Sequence, residues 1–225
     1  MNKHSDRFFG IFFILSFVSY GTGIGLMETL HNSQLEPFQV IENKAVLVIG
    51  AILIAIIHTL FNIGLLIIMF NVLKSINKSL SIFYLVLGSF GTLLLALGAV
   101  FLLLPISISE TIVQTNQYNS SLFSMVLKIS TNVNFYSYQL GMILWGFGGL
   151  IFCNLLYKSK LVPILFPVYG YVGYLIFIVG CGLELFGQPY GVQLSVPGGL
   201  FEFGLSIWLI ARGFNKREII DKVIV

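Results

Sequence analysis

Between Phe8 and Leu30 the chain reads FFGIFFILSFVSYGTGIGLMETL, with no charged side chain before Glu28. A run of that length and polarity is about what an α-helix needs to cross the ~30 Å hydrocarbon core of a bilayer. Five more such runs follow, Ala45 to Phe70, Ser81 to Leu104, Asn134 to Tyr157, Leu161 to Phe186 and Pro197 to Phe214. In hydrocarbon every backbone N–H and C=O must find its partner inside the protein, which leaves helices and closed barrels as the spanning structures. Long unbroken apolar runs select the helix, so the chain is read as an all-α, six-helix transmembrane bundle forming one integral membrane domain over residues 1–225. Charged residues make up 9% of the sequence, against roughly a quarter in soluble domains. That leaves no room for a separate soluble domain and argues against a nucleic-acid partner; the lipid bilayer is the expected partner.

The basic residues set the orientation. With the N-terminus in the cytoplasm, Lys44 and Lys128 are the only two of the twelve lysines and arginines left outside, as the positive-inside rule requires. Both termini are then expected inside. Met1 to Arg7 is basic and precedes an apolar run, like the start of a signal peptide. The run continues to about Met27 without a compact small-residue cleavage site, so it reads as an uncleaved first span. Cys153 and Cys181 fall near opposite ends of different segments and read as free, buried thiols.

Gly91 and Gly98 lie seven apart in the third segment, the spacing of a helix packing seam. Pro105 to Val133 reads as the longest connection, rich in Ser, Thr and Asn. Within it NSSLFSMVLKIS places Leu122, Phe123, Val126 and Leu127 on one side, compatible with a short interfacial helix or with a solvated loop. Pro197 reads as the first turn of the last helix, where a missing N–H costs nothing. No proline falls in the middle of a segment so defined.

Three carboxylates stand out. Glu28, Glu184 and Glu202 fall in the outer part of segments one, five and six, and acids inside a membrane are costly enough to be functional by default. Glu202 lies roughly 7 Å along the helix when counted from Pro197. If the hairpin Gly187 to Val196 folds over it, it is expected to be neutral at rest, as the chemical centre of an outward-facing pocket between helices one, two, five and six. The alternative is that Glu28 and Glu184 face interfacial water while Glu202 bonds nearby backbone or hydroxyl groups. His58 near the middle of segment two and Asn62 one turn later share a face. Hydrogen bonding within the bundle suits the pair, and proton relay or ligand contact is the other role. The pocket residues are thus Glu202, Glu184, Glu28, His58 and Asn62. No metal-binding motif or cofactor fingerprint accompanies them, and no catalytic residue is assigned. The sequence calls for no cofactor.

WGFGGLIFCNLLYKSKLVP, the stretch SVPGGLFE from Ser195 to Glu202, and WLIARGF from Trp208 resemble the bacterial membrane family catalogued as domain of unknown function 4386; HTLFNIGLLIIMF resembles its second-helix region. Members often carry an arginine and a glutamate in the third helix, where this chain has YLVLGSFGT with Gly88 and Gly91. The resemblance implies a multi-pass protein of the bacterial inner membrane and supplies no activity. The leading functional reading is a non-enzymatic protein that binds a small molecule, lipid or ion. A small intramembrane enzyme using Glu202 with His58, or a scaffold for a partner protein, are the alternatives.

Overall fold

The computed structural model describes residues 5–32, 35–115 and 118–215. These residues are all-helical, and six stretches are long and apolar enough to cross a membrane. The first is α1 (Ser5–Met27), closed by a 3-10 turn at Glu28–His31. A short helix α2 (Pro37–Glu42) leads to the second, which joins α3 (Lys44–Ile52), a π-helical stretch (Leu53–His58) and α4 (Thr59–Leu73). The third joins α5 (Lys78–Phe101) and α6 (Leu104–Thr115). Then come α7 (Ser120–Ser159), α8 (Leu165–Leu185) and α9 (Gly191–Ala211).

The described residues fall into two compact units, the first drawn from 5–15, 61–92 and 139–215 and the second from 16–32, 35–60, 93–115 and 118–138. The first unit packs around Phe9, Leu65, Met69, Phe152, Leu156 and Phe201. The second packs around Leu30, Leu47, Ile54, Leu102 and Phe123, with α2 lying against α6. Lipid tails are as apolar as these side chains, so within a bilayer helices associate through close packing and hydrogen bonds. Glycine supplies the closeness. In the first unit a β-carbon on Gly91 would lie 2.6 Å from the Gly141 carbonyl of α7. In the second, one on Gly98 would lie 3.0 Å from the Asn134 amide and 3.1 Å from Ser137. The seven-residue seam of α5 is therefore a contact line with α7 in both units.

Two expectations about the elements are corrected, and one feature is new. The polar stretch after Pro105 is almost all helix, as α6 and the first turns of α7. Its hydroxyls, which read as loop signals, fold back on the helix itself: Thr111 donates to the Ser107 carbonyl, Ser130 to Val126 and Thr131 to Leu127. A hydroxyl satisfied by the carbonyl one turn earlier leaves nothing to stop a helix. The Asn119 side chain accepts the Leu122 N–H at 3.1 Å and caps the start of α7.

Pro197 is the second correction, since it lies inside α9, which begins six residues earlier at Gly191. Proline cannot donate to the carbonyl one turn before it. α9 passes close to its neighbour here, a β-carbon on Gly173 of α8 falling 3.1 Å from the Pro197 carbonyl. The new feature is the π-helical stretch that ends at His58, for which the sequence carries no mark.

Candidate functional site

α8 ends at a glycine with positive φ, Gly187 at 79°, and the chain turns back through two bonds: Gln188 N–H to the Leu183 carbonyl and Gly187 N–H to the Glu184 carbonyl, both at 2.9 Å. This is the Schellman arrangement that closes helices on a left-handed glycine. The Glu184 side chain, half-buried, then accepts the Gly191 N–H at 2.8 Å. That N–H is one of the first-turn donors a helix leaves open, and a carboxylate there also suits the positive end of the helix dipole. Glu184 thus joins the end of α8 to the start of α9.

With α9 starting at Gly191, Glu202 is eleven residues in, about 16 Å along the axis. It sits near the middle of the span and not one turn inside, which corrects the depth counted from Pro197. Glu202 is 7% exposed. Its Oε1 accepts two hydrogen bonds, from the Trp145 indole Nε1–H of α7 at 2.8 Å and from the Tyr174 hydroxyl of α8 at 2.6 Å. Both donors come from elements of the first unit.

The glycines of α7 explain how Tyr174 gets there. Trp145 and Gly149 are one turn apart and share a face. The Tyr174 ring lies directly on Gly149, in space that any β-carbon there would occupy. Without that gap the ring could not lie flat against α7 with its hydroxyl on Glu202. Phe201, the neighbour of Glu202, meets the Tyr174 ring edge-on at 5.6 Å, and Phe13 of α1 meets Trp145 at 6.1 Å. The Tyr84 hydroxyl and the Cys153 thiol are buried within electrostatic reach of the carboxylate. Tyr84 is held by stacking on Phe152 at 5.4 Å. Two donors, an indole and a phenol, thus hold one acid, with a second phenol and a thiol nearby, inside a largely apolar core.

The other sequence-picked residues are placed as follows. Glu184 belongs to the same unit as Glu202 but lies ten residues along α8 from Tyr174, about 15 Å of helical rise. Asn62 is buried in the same unit, and its side-chain NH2 donates to the Thr92 hydroxyl at 3.1 Å, which in turn donates to the Gly88 carbonyl at 2.8 Å. Glu28 and His58 belong to the second unit. Glu28 is exposed in the 3-10 turn. His58 is 6% exposed, with Nδ1 3.0 Å from the Ser16 carbonyl and its ring 5.1 Å from that of Tyr20. A carbonyl only accepts, so Nδ1 carries the proton. Tyr20 in turn stacks on Tyr138 at 5.9 Å.

Trp145 and Tyr174 are the site residues that the sequence reading did not pick. Trp145 is the more legible of the two, being one of two tryptophans and one turn from a glycine pair. Tyr174 lies among several aromatic residues and carries no signal of its own. Among the described residues no group of three or more His, Cys, Asp or Glu side chains is placed to hold a metal ion.

No curated protein and no solved structure shows a significant match to the chain. Residues 8–213, nearly the whole chain, match the family described as Domain of unknown function (DUF4386), and the protein belongs to that family.

Proposed function

We propose that this is a membrane-embedded binding protein whose chemical centre is the Glu202 carboxyl, and that its ligand is a small molecule or ion that brings a proton or a positive charge to that group. The observation that carries the reading is a carboxyl at mid-span, 7% exposed, fixed by two neutral donors from two other helices. Neutral donors orient a carboxylate without compensating its charge. In low dielectric an uncompensated charge is costly, so the arrangement is completed by a proton or a cation. The family match and the charge distribution of the termini support a multi-pass protein of the bacterial plasma membrane with both ends in the cytoplasm.

Binding is favoured over catalysis by what the reactive groups are already doing. The Ser206 hydroxyl donates to the Glu202 carbonyl at 2.7 Å, and the Glu202 carboxyl already accepts from Trp145 and Tyr174. A nucleophile hands its proton to a base, whereas Ser206 gives its own to a backbone carbonyl.

Trp145 supplies the test. In a Trp208→Phe background it is the sole tryptophan, and its indole N–H is bonded to the group in question. The protein in nanodiscs would be titrated with acid, sodium, potassium and tetramethylammonium while Trp145 emission is followed. A saturable shift with at least one of them, absent in Glu202→Ala, is expected. Emission that responds to none, or responds equally in Glu202→Ala, would overturn the proposal.

A further inference from the structure

We infer that the exposed face at the start of α7 is where a second copy of the chain docks, its own α7 lying parallel to the first. The inference is independent of the Glu202 reading. Leu122, Met125, Ile129, Asn132 and Tyr136 follow one another along α7 at alternating steps of three and four, and all five are exposed. That alternation is the 3.5-residue period of a seam between two helices. Phe123, Leu127, Ser130 and Asn134 recur at similar steps on the other side of the helix and are buried. The start of α7 thus carries two seams, one used within its own unit and one open.

Lipid does not cover the whole of the open seam. Asn134 begins the apolar run proposed as the stretch in lipid, and Leu122 lies one turn short of four turns before it. The rise is about 18 Å, which at a 40° tilt still leaves Leu122 about 14 Å beyond the hydrocarbon, past a headgroup layer of about 5–8 Å. Leu122 and Met125, 48% and 57% exposed, therefore stand in water. Apolar side chains there gain from burial, which the turns within the bilayer do not need.

Symmetry and side-chain chemistry identify the occupant. Copies of one membrane protein are inserted the same way round, so the twofold axis relating a pair runs along the membrane normal and like helices meet parallel. In a parallel pair each seam residue faces its own counterpart, and Leu122, Met125 and Ile129 meet like apolar side chains. Asn132 meets Asn132, and an amide both donates and accepts, so the two side chains can bond each other across the axis. An amide at one position of an apolar seam fixes the register of the helices that share it. Lys128, the only charged residue between Tyr118 and Tyr138, falls beside the seam and not on it, so pairing forces no like charges together. A different protein would have to supply this pattern, whereas a second copy already carries it.

The test is cysteine cross-linking of the full chain in the membranes in which it is made, with copper phenanthroline as oxidant. Cys153 and Cys181 are both buried, so the wild-type chain should stay uncross-linked. Met125→Cys and Ile129→Cys, each on the seam, should form a disulfide-linked pair of the chain. Ser124→Cys is exposed and adjacent to Met125 but turned away from the seam, out of disulfide reach of its counterpart, and should remain single. Met125→Glu/Ile129→Glu sets carboxylates against their counterparts and should weaken pairing at least about a hundredfold in light scattering of the purified protein. Both positions are exposed, so helix content by circular dichroism should not change. Equal cross-linking at positions 124 and 125, a cross-link to another protein in place of a second copy, a wild-type chain that is monomeric in nanodiscs, or a doubly charged variant that pairs as wild type does would overturn the proposal.

Discussion

Replacing Tyr174 by phenylalanine removes one of the two donors from a buried carboxyl while keeping the ring that fills Gly149. The expected cost is about 1–3 kcal/mol, the range for stranding a buried hydrogen-bonding group. Gly149→Ala puts a methyl group where the ring lies and should cost about 1–3 kcal/mol by overpacking. Because the alanine already pushes the hydroxyl off Glu202, the double variant should cost less than the sum. Thermal unfolding in detergent measures all three, and strict additivity would show that Gly149 does not position Tyr174. Glu202 was legible in the sequence because a carboxylate in an apolar run is expensive wherever it points. Its partners were not, because what makes Tyr174 special is the absence of a side chain on a different helix. Glu184 was legible as an acid and not as a cap, since its role follows from where α9 begins.

Helix boundaries are where chain and structure part most. The six apolar runs announce six spans, yet the start of α9 moves from Pro197 back to Gly191, and the polar stretch after Pro105 becomes helix. Both shifts come from polar groups finding partners that the local sequence does not announce. Local residues that end a helix in water are overridden when a side chain elsewhere caps the stranded backbone group, or when their own hydroxyls are satisfied by carbonyls of the helix. For α9 that side chain is Glu184. Glu184→Ala should loosen the first turn of α9 at a cost of about 0.5–2 kcal/mol, as for other helix caps. Glu184→Gln keeps an acceptor and should recover most of it. Hydrogen exchange at the amides of Gly191 to Gln193 reports the change directly. Equal protection in wild type and alanine variant would mean that the cap contributes nothing.

For the whole molecule, the orientation proposed from the lysines and arginines predicts opposite labelling of two exposed serines. Ser79→Cys should react only with reagents that reach the cytoplasm, and Ser120→Cys with an impermeant maleimide from outside. The native thiols, Cys153 and Cys181, are both buried and give a low background. The reverse pattern would invert the proposed topology. Class and span number were legible at this scale because hydrocarbon thickness imposes a length that composition reveals at once; the division of the helices between two cores was not, because it depends on which faces meet. The length of α7 carries a consequence for how the second unit is held together. Its 40 residues rise about 60 Å, and even at a steep 40° tilt that exceeds the ~30 Å of hydrocarbon. Phe123 and Leu127, on its first turns, are buried with Leu30, Val40 and Ile106 in the core of that unit. With the apolar run Asn134 to Tyr157 proposed as the stretch in lipid, that part of the core meets water, where apolar burial is driven by solvent and carries a large heat-capacity change. Turns deeper in the lipid have no such drive. On that placement one chain answers to two solvents, and cooling or urea is expected to act first on the end of the second unit that stands in water.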